Sequence, residues 1–207
     1  MGKEELSLNN FVPTKRTVFE MISLYEFLAV AGILIMSILL KNSFLAVLFT
    51  MLILKQVPEK ILKLFVFEGK PINRRPSSAQ DCNMINKGGP AWSRSGFPSG
   101  HTTVAFFIWA YFLFEFIKRK NGKEQPIPPV IVITSLFAIL VPYARVGIEC
   151  HTVEQVMAGS VLGVAWAALF FYAIDPALER VSSQYSQDRK RIFDALFQKK
   201  EVLNQTR

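Results

Sequence analysis

Charge is scarce in this chain. Only 19% of its 207 residues are Asp, Glu, Lys or Arg, and it holds just two cysteines and two histidines. It has no internal repeat and no low-complexity tract. There is no His/Cys cluster at zinc spacing, no Walker loop and no dinucleotide fingerprint. These absences leave zinc chemistry, P-loop phosphoryl transfer and nicotinamide chemistry without a signature. Hydrophobic residues make up 51% and aromatics 13%, with 18 Phe, which excludes a disordered or collagen-like chain. The length allows one domain or two small ones. The net charge of +8 suits nucleic acid, an anionic membrane surface or an anionic substrate.

The placement of the apolar residues separates these classes. They lie in long blocks: 21–40, interrupted only by Glu26; 42–54, continuing past charges into 61–67; 102–117, with Glu115 near its end; and the uncharged 126–144 and 156–174. A spanning helix needs roughly 20 mostly apolar residues. Several blocks are apolar on every face, which a soluble bundle does not need. The fold class expected is all-α, a polytopic membrane bundle of about five transmembrane helices with its active site at one membrane face. Residues 1–19 read as a polar segment, 20–174 as the membrane-embedded domain and 175–207 as a charged tail. Within that tail, 191–200 has a weak helical pattern and is expected as a solvated or interfacial helix. The first block is too long for a cleavable signal peptide and reads as a retained anchor.

Five spans put the termini on opposite sides. Lys41, the cluster Lys118, Arg119, Lys120 and Lys123, and the tail would then share one face. The positive-inside rule makes that face cytosolic and turns loop 68–98 to the lumen or exterior. The glycosylation sequon Asn204-Gln205-Thr206 falls on the cytosolic tail and is expected to stay unmodified. Basic residues dispersed around membrane spans argue against a nucleic-acid partner.

Ionisable groups at membrane depth are costly and point to function. Lys63 and Lys70 are seven apart, two helical turns, and can share a face. Pro98-Ser99-Gly100-His101 precedes the third block as a helix start: Ser99 can cap, Gly100 admits a ligand, and free N–H groups face an anion. Arg145 and His151 fall between the fourth and fifth blocks, with His151 and Gln155 neighbours at i,i+4. Folding the spans into a bundle brings these clusters to one end. Two lysines, an arginine, a helix N-terminus and both histidines suit a phosphate. Either histidine can act as nucleophile or acid–base. Lys55 and Lys60 are expected only to snorkel to the interface.

These residues resemble the motifs of the type-2 phosphatidic acid phosphatase superfamily, membrane lipid phosphatases with a histidine nucleophile. The family pattern is Lys, six residues, Arg-Pro; then Pro-Ser-Gly-His; then Ser-Arg, five residues, His, three residues, Asp. This chain has Lys63 and Lys70-Pro71, an intact Pro98-Ser99-Gly100-His101, and Ala144-Arg145, His151 and Gln155. The resemblance covers about 54–163. Lys70 replaces an arginine and cannot form its bidentate fork; Arg74 and Arg75 sit just beyond and could compensate by a shifted register. Gln155 replaces the aspartate that orients the nucleophile. Its carbonyl can accept the same N–H bond but brings no negative charge, which Glu154 could add. The run 151–156, with the stretch 54–63, looks like the dolichyl diphosphatase branch.

The resemblance implies a metal-independent hydrolase with no cofactor. His151 would form a phosphohistidine. His101 would protonate the leaving oxygen and then activate water, and Gln155 would orient His151. Lys63, Lys70, Ser99, Gly100 and Arg145 would hold the phosphoryl oxygens. The implied partners are the bilayer and a lipid phosphate, either a polyprenyl (dolichyl-type) diphosphate or a phosphatidic acid-like monoester. For the dolichyl type, the compartment would be the endoplasmic reticulum. A non-catalytic lipid-phosphate binder of the same fold is the alternative, motivated by Lys70 and Gln155. A small transporter would need inverted repeats or broken helices, and neither is present. Cys82 and Cys150 both fall on the site side. In an oxidising compartment they could pair and tie the long loop to His151; two free thiols are the other reading.

Overall fold

The computed structural model describes residues 15–77, 79, 82, 95–120 and 126–197. Residues 1–14, Lys123 and the sequon at 204–206 lie outside them. The described chain is helical and without strands: α1 Lys15–Ser23, α2 Tyr25–Leu39, α3 Ser43–Leu54, α4 Gln56–Ile61, α5 Gly100–Lys120, α6 Pro129–Gly147, α7 Val153–Leu169, α8 Asp175–Val181 and α9 Ser183–Phe197. Single π-helical turns follow α4 (Leu62–Val66) and α7 (Phe170–Ile174), and a 3₁₀ turn covers Pro71–Asn73.

Four stretches are long and apolar enough to cross a membrane: Thr17–Leu39, Gly100–Lys120, Pro129–Gly147 and Val153–Val181. Their outer faces leave large apolar side chains exposed, among them Leu28, Ile38, Ile139 and Val161, as a lipid-facing surface does. The molecule is an all-α membrane bundle. The 42–54 block, expected to continue past charges into 61–67, folds as α3 and runs on through α4 and the π-helical turn to Val66, broken only at Lys55. At about 1.5 Å per residue this path is about 36 Å long, against a hydrocarbon core of about 30 Å. Its start is held to α9 where Ser43 donates to Asp188, and its far end carries Lys55, Glu59 and Lys63 to the polar site.

Helix α5 is the centre. It packs on α7 along most of its length, and also on α6 and α2. Gly159 and Gly163 of α7, one turn apart, allow this approach. A Cβ at Gly159 would lie 2.6 Å from the Ser99 carbonyl oxygen, and one at Gly163 would strike the Thr103 carbonyl. The main core joins Phe44, Leu48 and Leu52 of α3 to Phe107 and Tyr111 of α5, Phe170 beyond α7, and Phe193 of α9.

The tail departs from the expected solvated helix. Helix α9 starts eight residues earlier than the pattern suggested and packs on α3, burying Tyr185 and Phe193. Buried Arg189 clamps it, donating from Nε to Asp175 at 2.8 Å and from Nη2 to Glu115 at 2.7 Å. Tyr111 and Tyr185 also donate to Asp175. Charges that read as tail solvation close this network instead.

Candidate active site

The end of the bundle opposite this clamp opens into a cavity of about 450 Å³, lined by Glu26, Lys55, Glu59, Lys60, Lys63, Arg75, Gly100, His101 and His151 with apolar Phe27 and Leu64. Its cationic wall follows from helical spacing. Lys55, Glu59 and Lys63 stand four apart, so they form one stripe. Lys55 Nζ donates to Glu59 Oε2 at 3.2 Å, and Lys63 pairs with the other Glu59 oxygen. Val57, Ile61 and Phe65, at the same spacing on another face, are exposed. One side of α4 therefore faces the cavity and another offers apolar surface.

Lys55 overturns the snorkelling expectation. It is 2% exposed, and its ammonium donates to Glu26, Glu59 and the Gly100 carbonyl, each at 3.2 Å. Lys60 is exposed on the cavity rim. Lys63 lines the cavity as expected, but Lys70 does not share its face. The helical turns stop at Val66, and Gly69, with φ 72°, turns the chain. Lys70 ends exposed, with its ammonium 5.1 Å from the Phe67 ring centroid.

Arg75 enters the cavity in its stead. Its Nη1 donates to the Cys150 carbonyl at 2.7 Å and lies 3.2 Å from His151 Nε2. Burial pushes the Arg75 pKa down to about 10, so it stays charged at neutral pH. Arg74, the other candidate, is exposed, and only its carbonyl is engaged at the site.

His151 sits on the reversal between α6 and α7. Glu149, with φ 58°, ends α6 in the left-handed region, and the Cys150 and His151 N–H groups both return to the Arg145 carbonyl at 3.1 and 3.2 Å. The Nδ1 of His151 faces two oxygens, Gly96 O at 3.0 Å and Gln155 Oε1 at 3.1 Å. Neither can donate, so Nδ1 carries the proton. Arginine cannot accept, so Nε2 beside Arg75 holds the lone pair. Burial, and then the charges of Arg145 and Arg75, hold this imidazole well below the usual histidine range. It is a neutral base whose unprotonated nitrogen faces Arg75 at the cavity.

Gln155 does more than orient His151. Its Oε1 also accepts from Thr152 N at 3.3 Å while Thr152 Oγ1 accepts from Gln155 N, a capping box that starts α7. Its Nε2 donates to the Ile72 and Arg74 carbonyls, both at 2.8 Å, holding the loop that carries Arg75. Gly96 packs so close to this amide that a Cβ there would overlap it. Glu154 is exposed and is not part of the cavity wall, so it supplies no charge to His151.

Ser99 is fully buried behind the cavity. Its N–H is spent on the Gln155 carbonyl at 3.0 Å, and its Oγ accepts from Thr102 at 3.1 Å. Gly100 and His101 reach the cavity, and the Glu59 carboxylate rests where a Gly100 side chain would be. Arg145 is 1% exposed and donates from Nη1 to the Cys82 carbonyl at 2.7 Å. Its Nε and Nη2 have no partner among the described residues. Cys82 and Cys150 form a disulfide, so the free-thiol reading falls. The bond anchors the loop beside His151 and sets the Cys82 carbonyl on Arg145.

Sequence reasoning missed Glu26, Glu59 and Asn73. The first two were visible as carboxylates in apolar surroundings, and the 55/59/63 spacing was visible too. Asn73 had no signal. It donates to the Lys63 carbonyl at 2.8 Å and accepts from Phe97 N at 3.1 Å, joining two parts of the site far apart in sequence.

The family model of the PAP2 superfamily matches residues 28–178. The chain belongs to the PAP2 superfamily. Dolichyldiphosphatase 1 of Dictyostelium discoideum is 30% identical over 82 residues, covering 39% of this chain. The match spans 36% of that relative's length. No solved structure matches the chain.

Proposed function

We propose that this protein is an integral-membrane lipid phosphate phosphatase acting through a phosphohistidine on His151. The observation that carries the reading is the state of His151: Nδ1 is committed to two carbonyl oxygens, and Nε2, unprotonated and 3.2 Å from Arg75 Nη1, faces a cationic cavity. The orphaned N–H groups of Arg145 support it. A buried guanidinium with two unused donors is costly unless an anion completes it.

In the reaction, His151 Nε2 attacks phosphorus as the bond to the leaving oxygen breaks. His101 gives that oxygen its proton, then takes one from the water that hydrolyses the phosphohistidine. Arg75, Arg145 and Lys63 offset charge on the phosphoryl oxygens. Arg75 assumes the part the motif assigned to Lys70, and the amide of Gln155 replaces a carboxylate as orienter. These steps use side chains alone, so metal independence is part of the proposal.

The cavity, with at least four cations, accommodates a diphosphate as well as a monoester. The named relative favours a dolichyl-type diphosphate as first substrate and the endoplasmic reticulum as compartment. The disulfide suits an oxidising side, which supports a lumenal site and a cytosolic C-terminus.

The test is phosphate release from a polyprenyl diphosphate and from phosphatidic acid, in detergent with EDTA, beside His151→Ala. Release that survives EDTA and is lost in the variant is expected. Lipid phosphate bound without release would make the protein a binder instead. Because burial and neighbouring cations lower the His151 pKa, the nucleophile stays neutral as pH falls through the ordinary histidine range. The acid limb of kcat/KM is therefore expected below about 6.5.

A further inference from the structure

Glu26 is the one charge in helix α2, whose other residues are apolar or uncharged. It lies two residues before the segment that the family model matches. A carboxylate in such a helix is costly, so its contacts matter. Its Oε1 accepts from Lys55 Nζ at 3.2 Å. Its Oε2 lies 3.5 Å from Nδ1 of His101, at ion-pair distance. Phe27, next in the chain, meets the His101 ring edge-on with centroids 6.1 Å apart. Lys55 does not need this carboxylate, because Glu59 and the Gly100 carbonyl already engage its ammonium. His101 has no other acidic partner at that distance among the described residues.

We propose that Glu26 is a positioning residue for His101, an addition by helix α2 to the proton-transfer machinery. The inference rests on His101 being the proton carrier of the proposed reaction. Glu26 holds the Nδ1 proton, which turns Nε2 to the cavity. When His101 carries two protons, the one on Nε2 passes to the leaving oxygen as the phosphorus–oxygen bond breaks. Glu26 stays ionised throughout and offsets the imidazolium between the cations Lys55 and Arg145. The two histidines are thus held differently. His151, which must attack as a neutral base, is held by uncharged carbonyls, and His101, which must carry a proton, is held by a carboxylate.

The role makes a leaving-group prediction. Alkoxide leaving groups need a proton donor, whereas p-nitrophenolate departs nearly unaided. Full-length wild type, Glu26→Gln and Glu26→Asp would be assayed in detergent on phosphatidic acid and on p-nitrophenyl phosphate. In Glu26→Gln, kcat/KM on phosphatidic acid, which reports formation of the phosphohistidine and not its later hydrolysis, is expected to fall about tenfold or more, within the range of acid–base catalysis. On p-nitrophenyl phosphate kcat/KM should change less than about threefold. Glu26→Asp, which keeps the charge, should recover part of the loss.

If the glutamine variant does not fold, the aspartate variant alone carries the test through the same substrate ratio. An equal loss on both substrates, or none on either, overturns the proposal while the phosphatase reading stands. A wild type that releases no phosphate from either substrate removes both. In a His101→Ala background, Glu26→Gln should cost nothing further on phosphatidic acid; an additive loss contradicts action through His101.

Discussion

At position 155 an amide does what a carboxylate cannot. One end of Gln155 accepts from His151 and from Thr152 N, and the other donates to the carbonyls of Ile72 and Arg74. An isosteric Gln155→Glu change sets a carboxylate oxygen against those two carbonyls. Each buried bond lost costs about 1–3 kcal/mol, so the thermal midpoint should drop by several degrees. The new negative charge also favours the imidazolium of His151. The acid limb of the pH profile should therefore move to higher pH, because the neutral nucleophile is lost sooner as pH falls. A limb that stays in place would show that position 155 does not govern the charge on His151. Residue chemistry of this kind was partly legible. His101, His151, Gln155, Lys63 and Arg145 declare themselves by type and spacing, whereas the Thr152–Gln155 capping box was found only in the structure. The burial of Lys55 and the exposure of Lys70 were not legible. Both depend on where the helix after α3 ends and how Gly69 turns the chain, which a local pattern does not record.

At the scale of elements, the two histidines keep their relation because α5 and α7 touch backbone to side-chain-free backbone at Gly159 and Gly163. Gly159→Val is expected to force these helices apart at the Ser99 turn. It should cost about 1–3 kcal/mol of stability and lower kcat more than tenfold, as checked by thermal unfolding and phosphate release. The apolar blocks announced α2, α5, α6 and α7 to within about five residues at each end. Block 42–54 continues past its charges to Val66 as expected, but composition did not show that those charges form the polar wall of the site. Helix α9 was misjudged for a related reason. Its charges look solvated in sequence, and only the fold brings Asp175 and Glu115 to Arg189.

Across the whole molecule, one end holds the chemistry and the other holds the bundle together. Glu115 lies fifteen residues along α5 from Gly100, about 22 Å away. Arg189→Met leaves Asp175 and Glu115 without their buried partner. It should destabilise the fold by about 3–5 kcal/mol, yet leave kcat of the folded fraction near wild type. The disulfide is expected to act at the opposite end. Reduction, or Cys82→Ser, frees the Cys82 carbonyl from its fixed place on Arg145 and loosens the turn at His151. A loss of about 2–4 kcal/mol of stability should then accompany lower activity, measured with and without reductant.

The central claim is that His151 is the nucleophile, and rapid acid-free denaturation during turnover of a ³²P-labelled lipid phosphate tests it most directly. An acid-labile, base-stable label mapped to the peptide bearing His151, and absent from His151→Ala, is the expected result. Full turnover with no covalent label, or a label that persists in His151→Ala, would contradict the account.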